Sequence, residues 1–124
     1  VSFLEGDCFA PLPPELRGLV DLLVSNPPYV DPALKETLQP EVLRHEPAVA
    51  LFAEEQGLAV LKRIVAGAPE WLKPGGRIGL EISPEQGERV SGMLREAAVF
   101  DGIETAPDVR KRTRFVHARK RPAV

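Results

Sequence analysis

An apolar run over residues 19–25 ends directly in Asn26-Pro27-Pro28, and this junction constrains the fold more than any other feature of the chain. Only Asp21 interrupts the run, and Gly18 precedes it, a pattern typical of a strand that is buried on both faces. Proline does not continue the hydrogen-bond ladder of a sheet, and it restricts the preceding residue to extended conformations. The sequence therefore predicts a central strand that ends at Asn26 in a rigid turn.

Two later segments have helical spacing. From residue 54 to Leu72 apolar residues recur at helical intervals, which predicts the clearest helix of the chain, with a kink or restart at Pro69. Ser83 and Gln86 stand at the two positions of a capping box, which predicts a second helix running to about residue 98. The inward face of this second helix is expected to consist of four apolar residues: Val90, Met93, Leu94 and Ala97.

Strand patterns alternate with these helices. Residues 1–4 indicate the end of a strand, residues 77–82 indicate another, and residues 100–105 and 113–119 predict a terminal hairpin. Residues 30–52 contain three prolines and no sustained period, so they predict a long loop of the kind that often serves as a lid. The alternation predicts an α/β fold with a mostly parallel sheet and an antiparallel terminal hairpin.

Composition indicates one domain or a part of one. Of the 124 residues, 44% are hydrophobic and 27% are charged, and no apolar run approaches the roughly 20 residues that span a bilayer. The single cysteine, Cys8, excludes an internal disulfide bond, and the two histidines and one thiol give no metal-ligand spacing. We therefore expect no metal site, no membrane segment and a location in the reducing cytoplasm.

Basic residues gather near the end of the chain. Seven Lys or Arg residues follow Asp108, the last acidic residue: Arg110, Lys111, Arg112, Arg114, Arg119, Lys120 and Arg121. Such a tail is able to contact nucleic acid or an acidic partner. A charged strand edge that discourages aggregation is the favoured interpretation, and the rest of the chain, with nine basic and 18 acidic residues, makes nucleic acid an unlikely partner.

The tetrapeptide Asn26-Pro27-Pro28-Tyr29 is the strongest candidate site. Ligands of open parallel sheets bind beyond the carboxyl ends of the strands, which is where this tetrapeptide falls. The side-chain oxygen of Asn26 and the carbonyl of Pro27 are positioned to accept one N–H each from a planar NH2 group and to aim its nitrogen at a methyl donor. Tyr29 would offer its ring face to that group. A plain turn is the alternative interpretation.

Four further stretches complete a pattern that covers nearly the whole chain: Gly6-Asp7-Cys8-Phe9, Glu46-Pro47 with Ala50-Leu51, Leu72 through Gly76, and Glu81 with Gln86-Gly87 and Val90. Together with the tetrapeptide they resemble the HemK/PrmC family of protein-(glutamine-N5) methyltransferases. That family modifies the glutamine of a Gly-Gly-Gln motif in peptide-chain release factors. Adenine-N6 DNA methyltransferases and some guanine-N2 RNA methyltransferases share the tetrapeptide, and the loop around Glu46 favours the protein methyltransferases.

The resemblance implies S-adenosyl-L-methionine as cofactor and a peptide-chain release factor as partner. It places Asp7 and Cys8 beside the adenine of the cofactor, and Asn26 between cofactor and substrate. The family often has tryptophan where this chain has Cys8, so the aromatic contact with adenine is not expected here. A solvated turn residue is the alternative role for Asp7.

The substrate site follows from the same resemblance. Asn26 and Pro27 are implied to be catalytic, and Pro28 and Tyr29 complete the pocket for the substrate glutamine. Glu46 either positions the loop that follows or lies on its surface, and the sequence leaves both open.

The resemblance also implies that residues 1–124 are the carboxyl-terminal portion of a catalytic domain, the second half of a class I, Rossmann-like methyltransferase sheet. The chain begins with Val1, and the Gly-rich cofactor loop and the amino-terminal helical domain of the family are expected upstream. The isolated chain is then expected to be inactive and able to self-associate through an exposed sheet edge. The alternatives are a nucleic-acid methyltransferase and a catalytically silent interaction module.

Overall fold

A computed structural model describes residues 1–26 and 54–122 of the chain. The predicted loop over residues 30–52 lies outside the described residues. Short 3-10 turns occur at Pro14–Leu16 and Pro84–Gln86. The helices and strands follow in the order β1 (Val20–Ser25), α1 (Glu54–Trp71), β2 (Leu72–Glu81), α2 (Gly87–Glu96), β3 (Phe100–Pro107) and β4 (Thr113–Lys120).

The strands form one four-stranded sheet of order β1-β2-β4-β3. β1 and β2 are parallel, whereas β4 is antiparallel to both β2 and β3. The predicted α/β fold and terminal hairpin are confirmed, but the prediction of a mostly parallel sheet is wrong. β4 inserts between β2 and β3 and is antiparallel to both, so among the described strands only the pair of β1 with β2 is parallel.

One hydrophobic core lies between the sheet and the two helices. Along β2 the side chains alternate, so that Ile78 and Leu80 are buried under the helices while Arg77 and Gly79 belong to the opposite face. The core side chains of α1 follow helical spacing and include Leu61, which is fully buried. The sheet therefore has one covered face and, within the described residues, one open face.

The first predicted helix is confirmed as α1, and it continues through Pro69 to Trp71. β2 begins at the next residue. Lys120, at the end of β4, donates from Nζ to the carbonyl oxygens of Pro69 at 2.7 Å and Leu72 at 2.8 Å. The last carbonyls of a helix lack partners within the helix, and a cation is favourable there, so this contact fastens the end of α1 to the sheet.

The second predicted helix is also confirmed. Ser83 donates its backbone N–H to Oε1 of Gln86 at 3.0 Å, as the capping-box pattern predicts. α2 follows and ends at Glu96, two residues before the predicted end. Val90 and Leu94 are fully buried on its inner face, and the other two predicted residues pack against the core as partly buried side chains.

The predicted strand at residues 19–25 forms as β1, but its predicted central position is wrong. β1 lies at the edge of the sheet, and the side chains of Leu22 and Val24 are 60% and 71% exposed. Among the described strands only β2 pairs with it, and the two described helices cover one face of the sheet. The strand predicted at residues 1–4 does not form, because no described strand pairs with these residues, and Phe3 is 93% exposed.

Two leucine substitutions on neighbouring strands test this arrangement. Leu80→Ala on β2 removes a fully packed side chain and is expected to lower the free energy of unfolding by about 2–5 kcal/mol. Leu22→Ala on β1 removes a side chain that is already 60% exposed, so its effect is expected to stay within about 0.5 kcal/mol. Urea unfolding measures both. Equal losses would mean that β1 is buried in the chain as it exists in solution.

Candidate functional site

The parallel pairing of β1 with β2 brings their carboxyl ends to one edge of the sheet. Ser25 lies opposite Leu80, so Asn26 and Glu81 follow as the next residues on the two strands. β4 runs the other way and places Phe115 opposite Glu81. Ligands bind at this end of an open α/β sheet, and the predicted catalytic residue Asn26 is exposed there.

A groove of about 300 Å³ opens beside Asn26 on the face of the sheet away from the helices. We call it the Gly79 groove, and it is lined by Val24, Ser25, Asn26, Gly79, Glu81, Phe115 and His117, among others. Sequence reasoning had not assigned Gly79, Phe115 or His117 to any site. The sequence contained one sign of this groove. Phe115 is aromatic, yet in the alternation along β4 it belongs to the face opposite the buried Val116 and Ala118.

The Glu81 carboxylate at the groove is held by an arginine. Arg114 donates from Nε at 3.3 Å and Nη2 at 3.2 Å to Oε1 of Glu81, and about a quarter of each side chain is exposed. A second polar contact lies further along, where Nε2 of His117 is 3.9 Å from Oε2 of Glu104. The groove therefore combines apolar walls with an anchored carboxylate at its Asn26 end.

A second cavity of about 400 Å³ lies along the edge of β1 that pairs with no described strand. It is mostly apolar, with Phe9, Ile64 and Trp71 among its walls, and Cys8 and Ser25 also line it. Val24 and Ser25 border both this cavity and the Gly79 groove. The structure thus brings the predicted cofactor residue Cys8 and the end of β1 to one cavity.

Asp7 lies in the turn before this cavity and is bound to the first helix. Nη2 of Arg63 is 2.5 Å from Oδ2 of Asp7, and both side chains are largely exposed. The hydrogen bond from Arg63 is the main cause that lowers the pKa of Asp7. The carboxylate is therefore ionised at neutral pH and acts only as an acceptor. Sequence reasoning had not found Arg63 as its partner.

Cys8 adopts an uncommon backbone conformation. Its φ of 51° lies in the left-handed region, where side chains other than glycine, asparagine or aspartate are rare. The thiol is exposed, but neighbouring atoms remove part of its hydration, and this desolvation raises the pKa of Cys8. Cys8 is therefore a neutral thiol at neutral pH, suited to packing rather than to nucleophilic chemistry.

An aromatic stack fastens this turn to α1. The rings of Phe9 and Trp71 are nearly parallel at 7°, with centroids 6.1 Å apart, and the Arg17 guanidinium lies 5.5 Å from the Trp71 ring. Gly67 permits the approach, because a Cβ there would lie 2.6 Å from a Phe9 ring atom. We call this packing of Phe9 against Trp71 and Gly67 the Phe9 anchor. The positions of Asp7 and Cys8, which directly precede Phe9, depend on it.

Most of the basic tail is engaged within the chain. Arg119 binds Asp101 with Nε at 3.2 Å, Arg112 contacts Asp108 at 3.4 Å, and Arg121 donates to the Ala98 carbonyl at 3.2 Å. Arg114 and Lys120 make the contacts described above. These bonds give the tail a structural role within the chain. Because β4 lies between β2 and β3, the predicted charged strand edge is wrong for this part of the tail. That nucleic acid is an unlikely partner stays a prediction.

Some predicted site residues lie outside the part of the chain that the structure describes. These are Pro27, Pro28, Tyr29 and Glu46. Within residues 1–26 and 54–122, no group of three or more His, Cys, Asp or Glu side chains is arranged to hold a metal ion. No helix in the same part of the chain has the length and apolar character needed to cross a membrane.

Curated relatives of this chain include release factor glutamine methyltransferases. The release factor glutamine methyltransferase of Mycobacterium leprae is 39% identical over 98% of this chain and 43% of its own length. That of Deinococcus radiodurans is 42% identical over 97% of this chain and 41% of its own length. The chain therefore spans about two fifths of the curated relatives that it matches. No protein-family model matches the chain.

A solved structure supports the fold. The protein-(glutamine-N5) methyltransferase of Alicyclobacillus acidocaldarius superposes with a TM-score of 0.51 and 22% identity, over 82% of this chain and 49% of that protein. At this identity the likeness concerns the fold alone. The α/β sheet described above is thus of the kind found in that methyltransferase.

The Phe9 anchor gives a prediction with an internal control. Ala is favoured over Gly within a helix, so Gly92→Ala in α2, where an added Cβ has open space, is expected to stabilise the chain by about 0.5–1 kcal/mol. Gly67→Ala in α1 should lose that gain, because its Cβ displaces the Phe9 ring from Trp71. Thermal unfolding measures the first effect, and the emission of Trp71, the only tryptophan, reports the second. Equal stabilisation with unchanged emission would rule out the anchor.

Proposed function

We propose that this chain, which belongs to the release factor glutamine methyltransferase family, is the carboxyl-terminal portion of the catalytic domain of such an enzyme. The reaction is the transfer of a methyl group to N5 of the glutamine in the Gly-Gly-Gln motif of a peptide-chain release factor. The observation that carries the proposal is the position of Asn26. It follows a parallel strand whose last residue, Ser25, borders both the apolar cavity and the Gly79 groove.

The proposed chemistry is positioning catalysis. An amide nitrogen is a poor nucleophile because its lone pair is delocalised into the carbonyl group. The side-chain oxygen of Asn26 and the carbonyl of Pro27 each accept one N–H of the substrate amide, which aims the nitrogen at the methyl carbon and increases its electron density. Tyr29 packs its ring against the flat amide and excludes water. A bound methyl donor would supply the methyl group as its S–C bond breaks, and the substrate nitrogen held by Asn26 and Pro27 would lose a proton after the N–C bond has formed.

The cofactor of the proposed reaction is S-adenosyl-L-methionine, which supplies an electrophilic methyl group on a sulfonium sulfur. The cavity along β1 has the apolar walls that an adenine ring requires. Asp7, ionised at the turn beside it, would accept a hydrogen bond from the adenine amino group, and Cys8, which lines the cavity, would pack nearby. Asn26 is the third residue that would hold the cofactor. Arg63 is paired with the Asp7 carboxylate in this structure. The adenine amino group would therefore either share this carboxylate with Arg63 or replace Arg63 as its partner.

The proposed domain is completed by residues that this chain does not contain. Among the described residues one edge of β1 has no partner strand, and apolar side chains are exposed at Leu22 and Val24 in β1 and at Leu19 just before it. A further parallel strand and its helices would cover these features. We assign to that part the Gly-rich cofactor loop, the acidic residue for the ribose and the amino-terminal helical domain. The complete sheet is then of the class I, Rossmann-like kind, and the isolated chain is inactive or self-associated through β1.

The proposed partner is a peptide-chain release factor, as the names of the relatives indicate, and the proposed location is the cytoplasm, where translation ends. The acidic balance of the chain before the tail, nine basic against 18 acidic residues, favours a protein substrate over nucleic acid.

Product analysis of a chimera tests the proposed function. These 124 residues replace the matching part of the Deinococcus radiodurans relative, and the product is incubated with cofactor and with a release factor. We expect one methyl group on the glutamine of its Gly-Gly-Gln motif, located by tandem mass spectrometry, and none on DNA or RNA. Methylated adenine or guanine with an unmodified release factor would assign the chain to the nucleic-acid enzymes. If no substrate is methylated, the interpretation that remains is a catalytically silent interaction module.

Asn26→Ala in the chimera tests the role of the amide. It removes one positioned acceptor and no core volume, since Asn26 is exposed. We expect kcat to fall on the order of 100-fold to 1,000-fold, the usual effect of losing one positioned hydrogen-bonding group. Thermal unfolding and binding of S-adenosylhomocysteine serve as controls for the fold. Unchanged turnover would refute the proposed mechanism.

Two substitutions at Tyr29 separate its ring from its hydroxyl group. Tyr29→Phe keeps the ring face and is expected to reduce kcat/KM only slightly, within about threefold, whereas Tyr29→Ala removes the aromatic contact and should cost tenfold or more, about 1.4 kcal/mol. Steady-state kinetics of the chimera measures both. Equal losses would assign the role to the hydroxyl group instead.

A further inference from the structure

We propose that the tip of the β3–β4 hairpin is a docking surface for an acidic segment of a protein partner. The hairpin tip comprises residues 108–112, and its contact surface consists of Val109, Arg110 and Lys111. The binding of an acidic segment there does not depend on the proposed function. Only the naming of the partner as the protein substrate rests on that function.

Arg110 and Lys111 differ from the rest of the basic tail. The other five basic residues bind acidic side chains or backbone carbonyls of this chain: Arg112, Arg114, Arg119, Lys120 and Arg121. Within the described parts of the chain, the side chains of Arg110 and Lys111 have neither a hydrogen-bond partner nor an ion pair, and both residues are exposed. They are therefore cations that an external anion is able to reach.

The hairpin tip is held in shape by its own acidic residue. Oδ1 of Asp108 accepts the backbone N–H of Arg110 at 2.8 Å and that of Arg112 at 3.1 Å. The backbone of Asp108 donates to the Arg112 carbonyl at 2.8 Å and accepts the Lys111 N–H at 2.9 Å. The Asp108 carboxylate is thus used inside the turn, while the basic side chains of Arg110 and Lys111 point outward from it. A preorganised surface loses less conformational entropy when a partner binds.

Lys111 is an unfavourable residue for the conformation of this turn. Its φ of 64° lies in the left-handed region, which glycine and asparagine adopt at lower energetic cost than lysine. No contact of its side chain with a described residue offsets that cost. A strained residue in an exposed turn is an observation that points to function. The positive charge is what lysine supplies there and glycine would not.

The strand directions place the hairpin tip at the edge of the sheet where Asn26 lies. β4 is antiparallel to β2, so its first residue, Thr113, lies two residues beyond Phe115, which pairs with Glu81. At about 3.3 Å per residue, the tip begins roughly 7 Å beyond Glu81, and a strand spacing of about 4.8 Å puts β4 roughly 10 Å from β1. A protein bound at Asn26 is therefore able to reach the tip with a neighbouring segment.

The further strand proposed above does not account for the exposure of the hairpin tip. That strand would pair with β1 at one side of the sheet, whereas β3 is the strand at the other side. The tip joins β3 to β4 and projects beyond the ends of both strands. A strand and helices added at β1 would leave it exposed.

Charge and composition favour an acidic protein segment over nucleic acid. A protein that binds the phosphate backbone strongly makes on the order of six to ten phosphate contacts, and the hairpin tip has two free cations. Val109 is fully exposed and adds an apolar surface, which suits a peptide better than a phosphate group. The residues before the tail, nine basic and 18 acidic, repel a long polyanion more than a short acidic segment.

Binding of a labelled octaglutamate peptide to the chimera tests the hairpin tip directly. Arg110→Gln with Lys111→Gln removes both free charges, and Arg89→Gln with Arg95→Gln, at two exposed positions of α2, is the control with the same change in net charge. Fluorescence anisotropy should show binding at least fivefold weaker for the tip variant and less than twofold weaker for the control. The difference should shrink at about 0.5 M salt, which screens exposed charges. Equal weakening by both variants would overturn the proposal, because net charge alone would then attract the peptide.

Lys111→Gly separates binding from folding. It removes the left-handed lysine together with its charge, so the unfolding temperature should not fall, while binding of the octaglutamate peptide should weaken at least twofold. Unchanged binding would contradict the proposal, since Lys111 would then have no part in the contact.

Kinetics of the chimera tests whether the acidic segment belongs to the protein substrate. Arg110→Glu with Lys111→Glu should raise KM for an intact release factor at least tenfold. The same variant should leave KM for a short peptide containing Gly-Gly-Gln within twofold, because that peptide does not extend to the tip. Unchanged KM for the intact factor would overturn the assignment of the partner. If the variant instead loses binding to single-stranded RNA, the tip is a nucleic-acid contact and the proposal is wrong.

Failure of the proposed function has a different signature. The unsubstituted chimera would then methylate neither the release factor nor the peptide. The octaglutamate titration would still decide whether the hairpin tip binds an acidic segment.

Discussion

The parallel pairing of β1 with β2 is the contact on which the rest of the structure depends. Val20 lies opposite Leu72, and Leu22 lies opposite Arg77. β2 therefore has more residues than β1 between these two pairs, and the extra residues form an irregularity in β2. Gly75, with φ of 84°, and Gly76, whose Cβ would lie 2.8 Å from the Val20 carbonyl oxygen, make this close passage possible. The helix thereby joins the strand without a loop, and the ends of β1 and β2 meet at Asn26 and Glu81.

One-sided packing explains the rest of the architecture. The helices bury one face of the sheet, and the Lys120 bonds to Pro69 and Leu72 fasten the last strand to the end of α1. The other face and the β1 edge keep exposed apolar residues and carry both cavities. A chain that spans about two fifths of its relatives presents the surfaces that the remaining three fifths would cover or use. The proposed cofactor and substrate sites meet at Ser25 because it borders both cavities.

Local signals predicted the local structure, and pairing between distant segments decided what they missed. The helix from Glu54, the contact of Ser83 with Gln86 and the terminal hairpin follow from residues a few positions apart, and all three are confirmed. The edge position of β1 and the insertion of β4 depend on which strands are available to pair, which the spacing of apolar residues does not encode. In the candidate site, Asn26 was found from its neighbours in sequence. Gly79 and Phe115 were missed because only the register of three strands brings them together.

The central claim is that this chain is one part of a methyltransferase and needs the rest to hold the cofactor. Calorimetric titration with S-adenosylhomocysteine tests it most directly, performed on the 124-residue chain and on the chimera with the Deinococcus radiodurans relative. The account predicts saturable binding by the chimera at one site and no measurable heat with the chain alone. Binding of equal affinity by both would show that the cavity beside Cys8 and β1 suffices as a cofactor site and would contradict the claim.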